Sequence, residues 1–115
     1  MDQSLRDQVI LLHAQICKGL ADPNRILILY ALNEHPYNVG DLAEAVGFSQ
    51  PTISRHLKIL RDRNLVSAHR DAQSIVYELA DVRIIQALDL LRTVLADTLA
   101  NQANLARSAQ QELIP

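Results

Sequence analysis

The spacing of apolar residues predicts a long amphipathic helix near each end of the chain. Within residues 4–19 and 81–111, aliphatic side chains recur three or four positions apart, which aligns them on one helical face. The aligned residues are Leu5, Val9 and Leu12 in the first segment and Leu88, Leu91, Leu95 and Leu99 in the last. These apolar faces exceed what a small domain can cover, so we expect both helices to form the interface of a homodimer.

The residues between the two outer helices predict another helix and, further along, a β-hairpin. Asp22 is a good N-cap and Pro23 fits the first helical position, so we expect a helix from there to about His35. Two β-prone runs within residues 65–79 flank a polar tip at residues 71–73. This hairpin is the expected wing of the domain.

Residues 39–63 combine the features of a helix-turn-helix. Gly47 is suited to end one helix in a left-handed conformation, and Ser49 is suited to cap the next. Pro51 is tolerated in the first turn of that second helix, where backbone N–H groups have no intrahelical partner. The apolar residues that share one face of the second helix are Ile53, Leu57 and Leu60. The pattern predicts two short helices around a tight turn, a motif that reads the major groove of DNA.

The second helix of this motif carries a polar face opposite its apolar one. Short polar side chains precede cations along it, an order that suits a helix entering the major groove by its N-terminus. The residues predicted to contact DNA, including one cation from the wing, are Gln50, Thr52, Ser54, Arg55, His56, Lys58 and Arg70. Arg55 is the best candidate for a bidentate guanine contact, whereas His56 could either contact a phosphate or pack against the protein.

The distribution of charge supports DNA binding, although the net charge does not. The chain of 115 residues has a formal net charge of −2 and a pI near 6.0. Residues 50–70 hold five basic side chains against one acidic residue, Asp62, which gives this segment a charge of +4. A basic patch on an acidic body can bind phosphates, while the rest of the surface discourages indiscriminate adhesion.

Composition places the chain among single-domain helical proteins. With 49% hydrophobic residues, residues 1–115 are expected to form one domain, mainly α with a small β-hairpin. No apolar run is long enough to span a bilayer, and the start of the chain lacks a basic region followed by an apolar run. We expect a cytoplasmic protein with no membrane partner. The single Cys agrees with this compartment, since it cannot form an internal disulfide.

Three segments resemble the ArsR family of winged helix-turn-helix repressors. Gly19–Leu29 is similar to the family's LADPTRLRIL motif, Val39–Ala43 to VGELA, and Ser49–Leu60 to SQSTVSRHLKVL. The motifs are specific in combination, and the likeness covers roughly residues 12–95. The resemblance implies a dimeric repressor that binds a palindromic operator in double-stranded DNA and is often released by a metal ion or a thiol-reactive signal.

The sensing sites of the family are not matched in this chain. One subgroup binds metal through Asp and His residues of the last helix, and the corresponding residues here are Asp81, Arg83, Val94 and Asp97. Arg83 cannot ligate a metal at neutral pH and Val94 has no donor atom, so this family site is broken. The cysteine motifs of two other subgroups are also missing. We therefore expect no cofactor and no metal site of the family type.

Cys17 is the remaining candidate for a sensing residue. It follows His13 by four positions, so both side chains would lie on one face of the first helix. Two copies in a dimer could supply two thiolates and two imidazoles to a zinc-type ion, or His13 could activate the thiol toward oxidants. The favoured alternative is an inert, buried Cys beside a surface His.

An enzymatic function is not indicated. The sequence has no Gly-rich phosphate loop and no paired carboxylates in an apolar setting. One competing interpretation is a winged helix that acts in protein interaction or in thiol or metal sensing with weak or no operator binding, because Asp71 at the wing tip would repel phosphate. The favoured interpretation is a homodimeric repressor whose small-molecule or ionic inducer the sequence does not identify.

Overall fold

The computed structural model describes residues 1–113 and confirms a mainly helical fold with a small antiparallel sheet. The helices are α1 (Gln3–Leu12), α2 (Lys18–Leu20), α3 (Pro23–Glu34), α4 (Val39–Val46), α5 (Gln50–Asp62) and α6 (Arg83–Leu113). The strands are β1 (Tyr37–Asn38), β2 (Val66–Asp71) and β3 (Ser74–Leu79). One compact unit spans Met1–Val82, and a second unit begins at Arg83 and contains α6. None of the described helices combines the length and the apolar character that crossing a bilayer requires.

A π-helical segment, His13–Cys17, joins α1 to α2, so the first predicted helix is not uniformly α-helical. The guanidinium of Arg63 donates to the carbonyl oxygen of Ala14 and, at 3.5 Å, to that of Gln15, both within this segment. A side chain that bonds to helical carbonyls competes with the regular hydrogen-bond ladder and can widen a turn. Local periodicity does not reveal this effect, because Arg63 is 49 residues from Ala14 along the chain.

Side-chain hydrogen bonds hold the turn between α2 and α3. The carboxylate of Asp22 caps α3 as predicted, accepting from the backbone N–H of Asn24 at 2.8 Å. The guanidinium of Arg25 donates to the carbonyl oxygens of Gly19 at 2.7 Å and Lys18 at 3.1 Å. Carbonyls at the end of a helix have no partner within it, so Arg25 satisfies these groups and fixes the direction in which α3 leaves the turn.

The turn of the helix-turn-helix forms as the sequence predicts. Gly47 ends α4 in the left-handed region, with φ 78° and ψ 29°, and its N–H donates to the carbonyl oxygen of Ala43 at 2.9 Å. The cap at the start of α4 was not predicted. It is Asn38, whose side-chain oxygen accepts from the backbone N–H of Asp41 at 2.8 Å. Both ends of α4 are therefore stabilised by local hydrogen bonds.

The predicted hairpin is present, and a short third strand adds to it. β2 and β3 pair antiparallel, with Val66 opposite Leu79. β1 pairs with β3 so that Tyr37 lies opposite Tyr77, which gives the strand order β1-β3-β2. β1 was missed from the sequence because a strand of two residues shows no alternation of apolar and polar positions. β3 is consequently the central strand and is hydrogen-bonded on both sides.

The core of the first unit is built from α3, α4 and α5. Its largest fully buried side chains are Ile28, Leu29, Leu42, Ile53, Leu57 and Leu60. The apolar face predicted for α5 supplies three of these residues. Fully burying an aliphatic side chain stabilises a fold by about 1.5–3 kcal/mol relative to leaving it exposed, so this face is firmly held. Its burial decides which face of α5 points outward.

Apolar side chains of both outer helices remain exposed in the single chain. On α1 the predicted interface residues are 45–50% exposed, and on α6 they are 56–62% exposed: Leu5, Val9 and Leu12, then Leu91, Leu95 and Leu99. Leu88, predicted to lie with them, is only 6% exposed. The other residues keep the apolar character that marks interaction surfaces.

Replacing Gly47 with Ala should destabilise the fold by about 1–2 kcal/mol, because an L side chain is strained at a positive φ. A Cβ at this position meets no atom within 4 Å, so the change tests backbone strain without a steric clash. Urea unfolding measures the loss. Gly47→Asn is the matched control and should recover part of the stability, since Asn tolerates the left-handed region better. Wild-type stability of Gly47→Ala would contradict the conformation assigned to this cap.

Candidate nucleic-acid interface

The N-terminal half of α5 presents the residues predicted to read bases. Gln50, Ser54 and Arg55 are exposed, and Thr52 is half-buried. The hydroxyl of Ser49 accepts from the backbone N–H of Thr52 at 3.4 Å and donates to the Thr52 hydroxyl at 2.9 Å. Thr52 is thus engaged in the helix cap, whereas the three exposed side chains are accessible to base edges.

Lys58 is exposed further along the same helix, where it pairs with Asp62. The distance from Nζ to Oδ2 is 2.9 Å, and both side chains are more than half exposed. Exposed ion pairs of this kind contribute only about 0–1 kcal/mol to stability. A DNA phosphate can therefore compete with Asp62 for Lys58, and the role predicted for Lys58 is compatible with this pair.

His56 is a predicted DNA-contact residue that the structure buries. It is 4% exposed and lies on the face of α5 that packs into the core. It follows Ile53 by three positions, which places both residues on one side of the helix. Its Nδ1 atom has no hydrogen-bond partner among the described residues. His56 therefore packs against the protein, one of the two roles considered for it, and is not placed to contact DNA.

The surroundings of His56 favour its neutral form. Burial lowers the pKa of the imidazole below its usual value of 6.5, because desolvation penalises the charged ring. Asp22 opposes this shift, whereas the positive charges of Arg25 and Arg55 add to it. α5 is consequently most stable when this ring carries no charge.

The wing carries an exposed arginine next to an acidic tip. Arg70 lies on β2, and Asp71 follows it at the end of the strand. On the same strand, Nδ1 of His69 lies 3.9 Å from Oε1 of Glu78 on β3. Arg70 is accessible for the contact predicted for it. The acidic neighbours reduce the positive potential of the wing below what its basic residues alone would give.

Two further residues beside this face, Arg61 and Tyr77, were missed from the sequence. They line one groove together with Ser54 and Lys58, between α5 and β3. Arg61 could have been found, because it lies three positions after Lys58 and hence on the same side of the helix. Tyr77 gave no comparable signal, since it comes from another element of the fold.

The candidate sensing residues lie at the two ends of the π-helical segment. His13 begins the segment and Cys17 ends it, and both side chains are exposed. The thiol of Cys17 reaches solvent in the single chain, so the chain's own core does not provide the burial expected for it. Within residues 1–113, no cluster of three or more His, Cys, Asp or Glu side chains could hold a metal ion.

The helix pair, the exposed polar face of α5 and the hairpin after it define a winged helix-turn-helix. The model of the family described as bacterial regulatory protein, arsR family, matches residues 22–68. The HTH-type transcriptional regulator NmtR of Mycobacterium tuberculosis is 43% identical over 76 residues, which are 66% of this chain and 63% of NmtR. The match thus spans less than two thirds of that relative.

Two further comparisons cover more of the related proteins. A biofilm growth-associated repressor of Xylella fastidiosa is 32% identical over 81 residues, which are 70% of this chain and 71% of that protein. The homodimeric winged helix-turn-helix DNA-binding domain Mb0332 from Mycobacterium bovis superposes with a TM-score of 0.74 at 25% identity, covering 88% of this chain and 93% of that one. The chain belongs to the arsR family of bacterial regulatory proteins.

The burial of His56 predicts a loss of stability in mild acid. Because its pKa is lower in the folded chain than in the unfolded chain, the unfolded state takes up the proton first as pH falls. The contribution of the neutral ring is complete above about pH 6.5, the ordinary pKa, and is lost as pH falls through the lowered pKa. Urea unfolding at pH 7.5 and at about pH 5 should show this difference.

His56→Leu is the variant that tests this origin of the pH dependence. It places an apolar side chain in the core and removes the titrating ring, so the stability of the variant should fall less between the two pH values. His13→Gln is the matched control at an exposed position and should behave like the wild type. An equal loss in wild type and His56→Leu would place the pH dependence elsewhere.

Proposed function

We propose that this chain is a homodimeric transcriptional repressor that binds a palindromic operator in double-stranded DNA. The observation that carries the proposal is the orientation of α5, whose apolar face is buried while Gln50, Ser54 and Arg55 are exposed. A helix held in this way can enter the major groove and offer hydrogen-bonding groups to base edges. The names of NmtR as a transcriptional regulator and of the Xylella protein as a repressor support the same function here. The proposed compartment is the cytoplasm, and no catalytic step is part of the function.

The exposed apolar faces of α1 and α6 support the proposed dimer. Each face exposes large aliphatic side chains to water, which is unfavourable in free energy. Burial of these side chains against a second copy would remove this unfavourable exposure. A single recognition helix reads only a few base pairs, so two copies related by a two-fold axis double the length of sequence read. The related domain Mb0332 is homodimeric, which supports the same assembly here.

A binding titration separates this proposal from its competitor, a winged helix that does not bind DNA. A duplex carrying the promoter of the chain's own gene is titrated with protein at several salt concentrations. A steep fall of affinity with salt supports operator binding, since each phosphate contact releases counterions. Absence of binding at low salt would favour a protein-interaction module, for which the acidic wing tip at Asp71 is the structural argument.

Arg55→Ala should cost about 1–3 kcal/mol of operator binding and relax specificity at one position in each half-site. The physical reason is the loss of a bidentate contact to one base. Lys58→Ala is the contrasting variant, because a phosphate contact carries no sequence information. It should weaken operator and random duplex alike and lower the salt slope by about one per contact. Competition binding against single-base variants of the operator measures both effects, and unchanged preference in Arg55→Ala would contradict the orientation proposed for α5 in the groove.

Leu95→Glu should convert the protein to a monomer, because it places an unpaired charge in an apolar interface. Sedimentation velocity measures the change, and operator affinity should collapse with it, since the two half-site contacts no longer act together. Leu90→Glu is the matched control: Leu90 is 70% exposed and lies on the other side of α6 from Leu95. A wild-type chain that sediments as a monomer at micromolar concentration would remove the basis of the dimer.

A further inference from the structure

A polar groove lies between α5 and the sheet. Its volume is about 370 Å³. The residues that line it are Ser54, Leu57, Lys58, Arg61, Asp62 and Tyr77. Ser54 belongs to the face proposed to read bases, so the groove directly adjoins that face. Apart from Leu57, every side chain that lines it carries a hydrogen-bonding or charged group, which indicates a polar ligand.

Among the described residues, Arg61 is the cation of this groove whose side chain makes no hydrogen bond or ion pair. Lys58 pairs with Asp62 at 2.9 Å, Arg25 donates to backbone carbonyls, and Arg63 donates to the π-helical segment. The exposed guanidinium of Arg61 makes no hydrogen bond or ion pair with any other residue of the described chain. It also lines a neighbouring cavity of about 130 Å³ with Arg70 of the wing. Arg61 thus lies where the surfaces of α5 and the wing meet.

The charges of the remaining groups permit an anion in the groove. Asp62 would oppose an anion, but its charge is balanced by the ammonium group of Lys58. The net positive charge that remains is that of Arg61. Tyr77 adds a hydroxyl donor on the central strand β3, where its backbone is fixed between Tyr37 and Ala68 of the neighbouring strands. A guanidinium and a hydroxyl on two different elements form a donor pair suited to phosphate oxygens.

We propose that this groove binds one phosphodiester group of the DNA backbone, with Arg61 and Tyr77 as donors. The inference rests on the proposed function and specifies how the helix is positioned on its site. Phosphate contacts set the register and orientation of a protein on DNA, while base contacts set sequence preference. A phosphate held between α5 and β3 would fix how deeply α5 enters the major groove and place the wing beside the backbone.

The first test is the salt dependence of DNA binding by Arg61→Ala and Tyr77→Phe. Arg61→Ala should lower the salt slope by about 0.9 per contact, close to two for a dimer on two half-sites, and weaken operator and random duplex by the same factor. Tyr77→Phe keeps the ring and removes the hydroxyl, with an expected loss on the order of tenfold in affinity. Arg107→Ala removes the same charge from α6 and should leave the slope unchanged.

The second test locates the phosphate. Duplexes carrying a single neutral methylphosphonate at successive backbone positions are titrated with wild type and Arg61→Ala. One position in each half-site should weaken the wild type and have no further effect on Arg61→Ala, because the contact is already lost. Additive losses at every position would overturn the proposal. Circular dichroism and sedimentation confirm that the variants keep their fold and assembly.

The outcomes distinguish this inference from the proposed function. If the wild type does not bind duplex at low salt, the proposed function fails. If the wild type binds with a steep salt slope and Arg61→Ala has the same slope, operator binding stands and the phosphate groove is wrong. Inorganic phosphate is the remaining probe: saturation of the Arg61 side-chain NMR signals below millimolar phosphate, with an unchanged DNA slope in Arg61→Ala, would identify a small-anion site instead.

Discussion

The burial of one face of α5 is the constraint on which the rest of this structure depends. Ile53, Leu57 and Leu60 are held in the core with the residues of α3 and α4, and a rotation of the helix would expose them. Because that rotation is costly, the opposite face must point outward with Gln50, Ser54 and Arg55. The exposed polar face of α5 is therefore positioned by apolar packing, although none of these three residues belongs to the core.

His56 shows that core residues and exposed polar residues are immediate neighbours along this helix. It shares the buried face with Ile53, yet it is next to Arg55 in sequence. Its buried Nδ1 atom has no hydrogen-bond partner within residues 1–113. Burial lowers the pKa of this imidazole, and the charges of Asp22 and Arg25 at the start of α3 also act on it. The start of α3 thus influences α5 through electrostatics.

The basic residues of the chain differ in what they contact, and counting them does not distinguish these roles. Arg25 and Arg63 donate to backbone carbonyls and hold helices in place. Lys58 is paired with Asp62 on the surface. Arg55 and Arg61 make no such internal contact among the described residues and face the proposed ligand side. The net charge of residues 50–70 is therefore larger than the positive charge that is free to contact DNA, because some of these cations are bonded to other groups of the chain.

Apart from the π-helical segment and the short strand β1, the sequence by itself determined the helices, the turn at Gly47 and the hairpin, because apolar periodicity, caps and left-handed glycine are local properties of the chain. It also determined most of the polar face of α5, because the residues of that face lie opposite the apolar residues that the helix buries. Only the tertiary structure decided the burial of His56, the exposure of Cys17 and the groove that joins Arg61 to Tyr77. These features depend on contacts between residues distant in the chain, which no local pattern encodes.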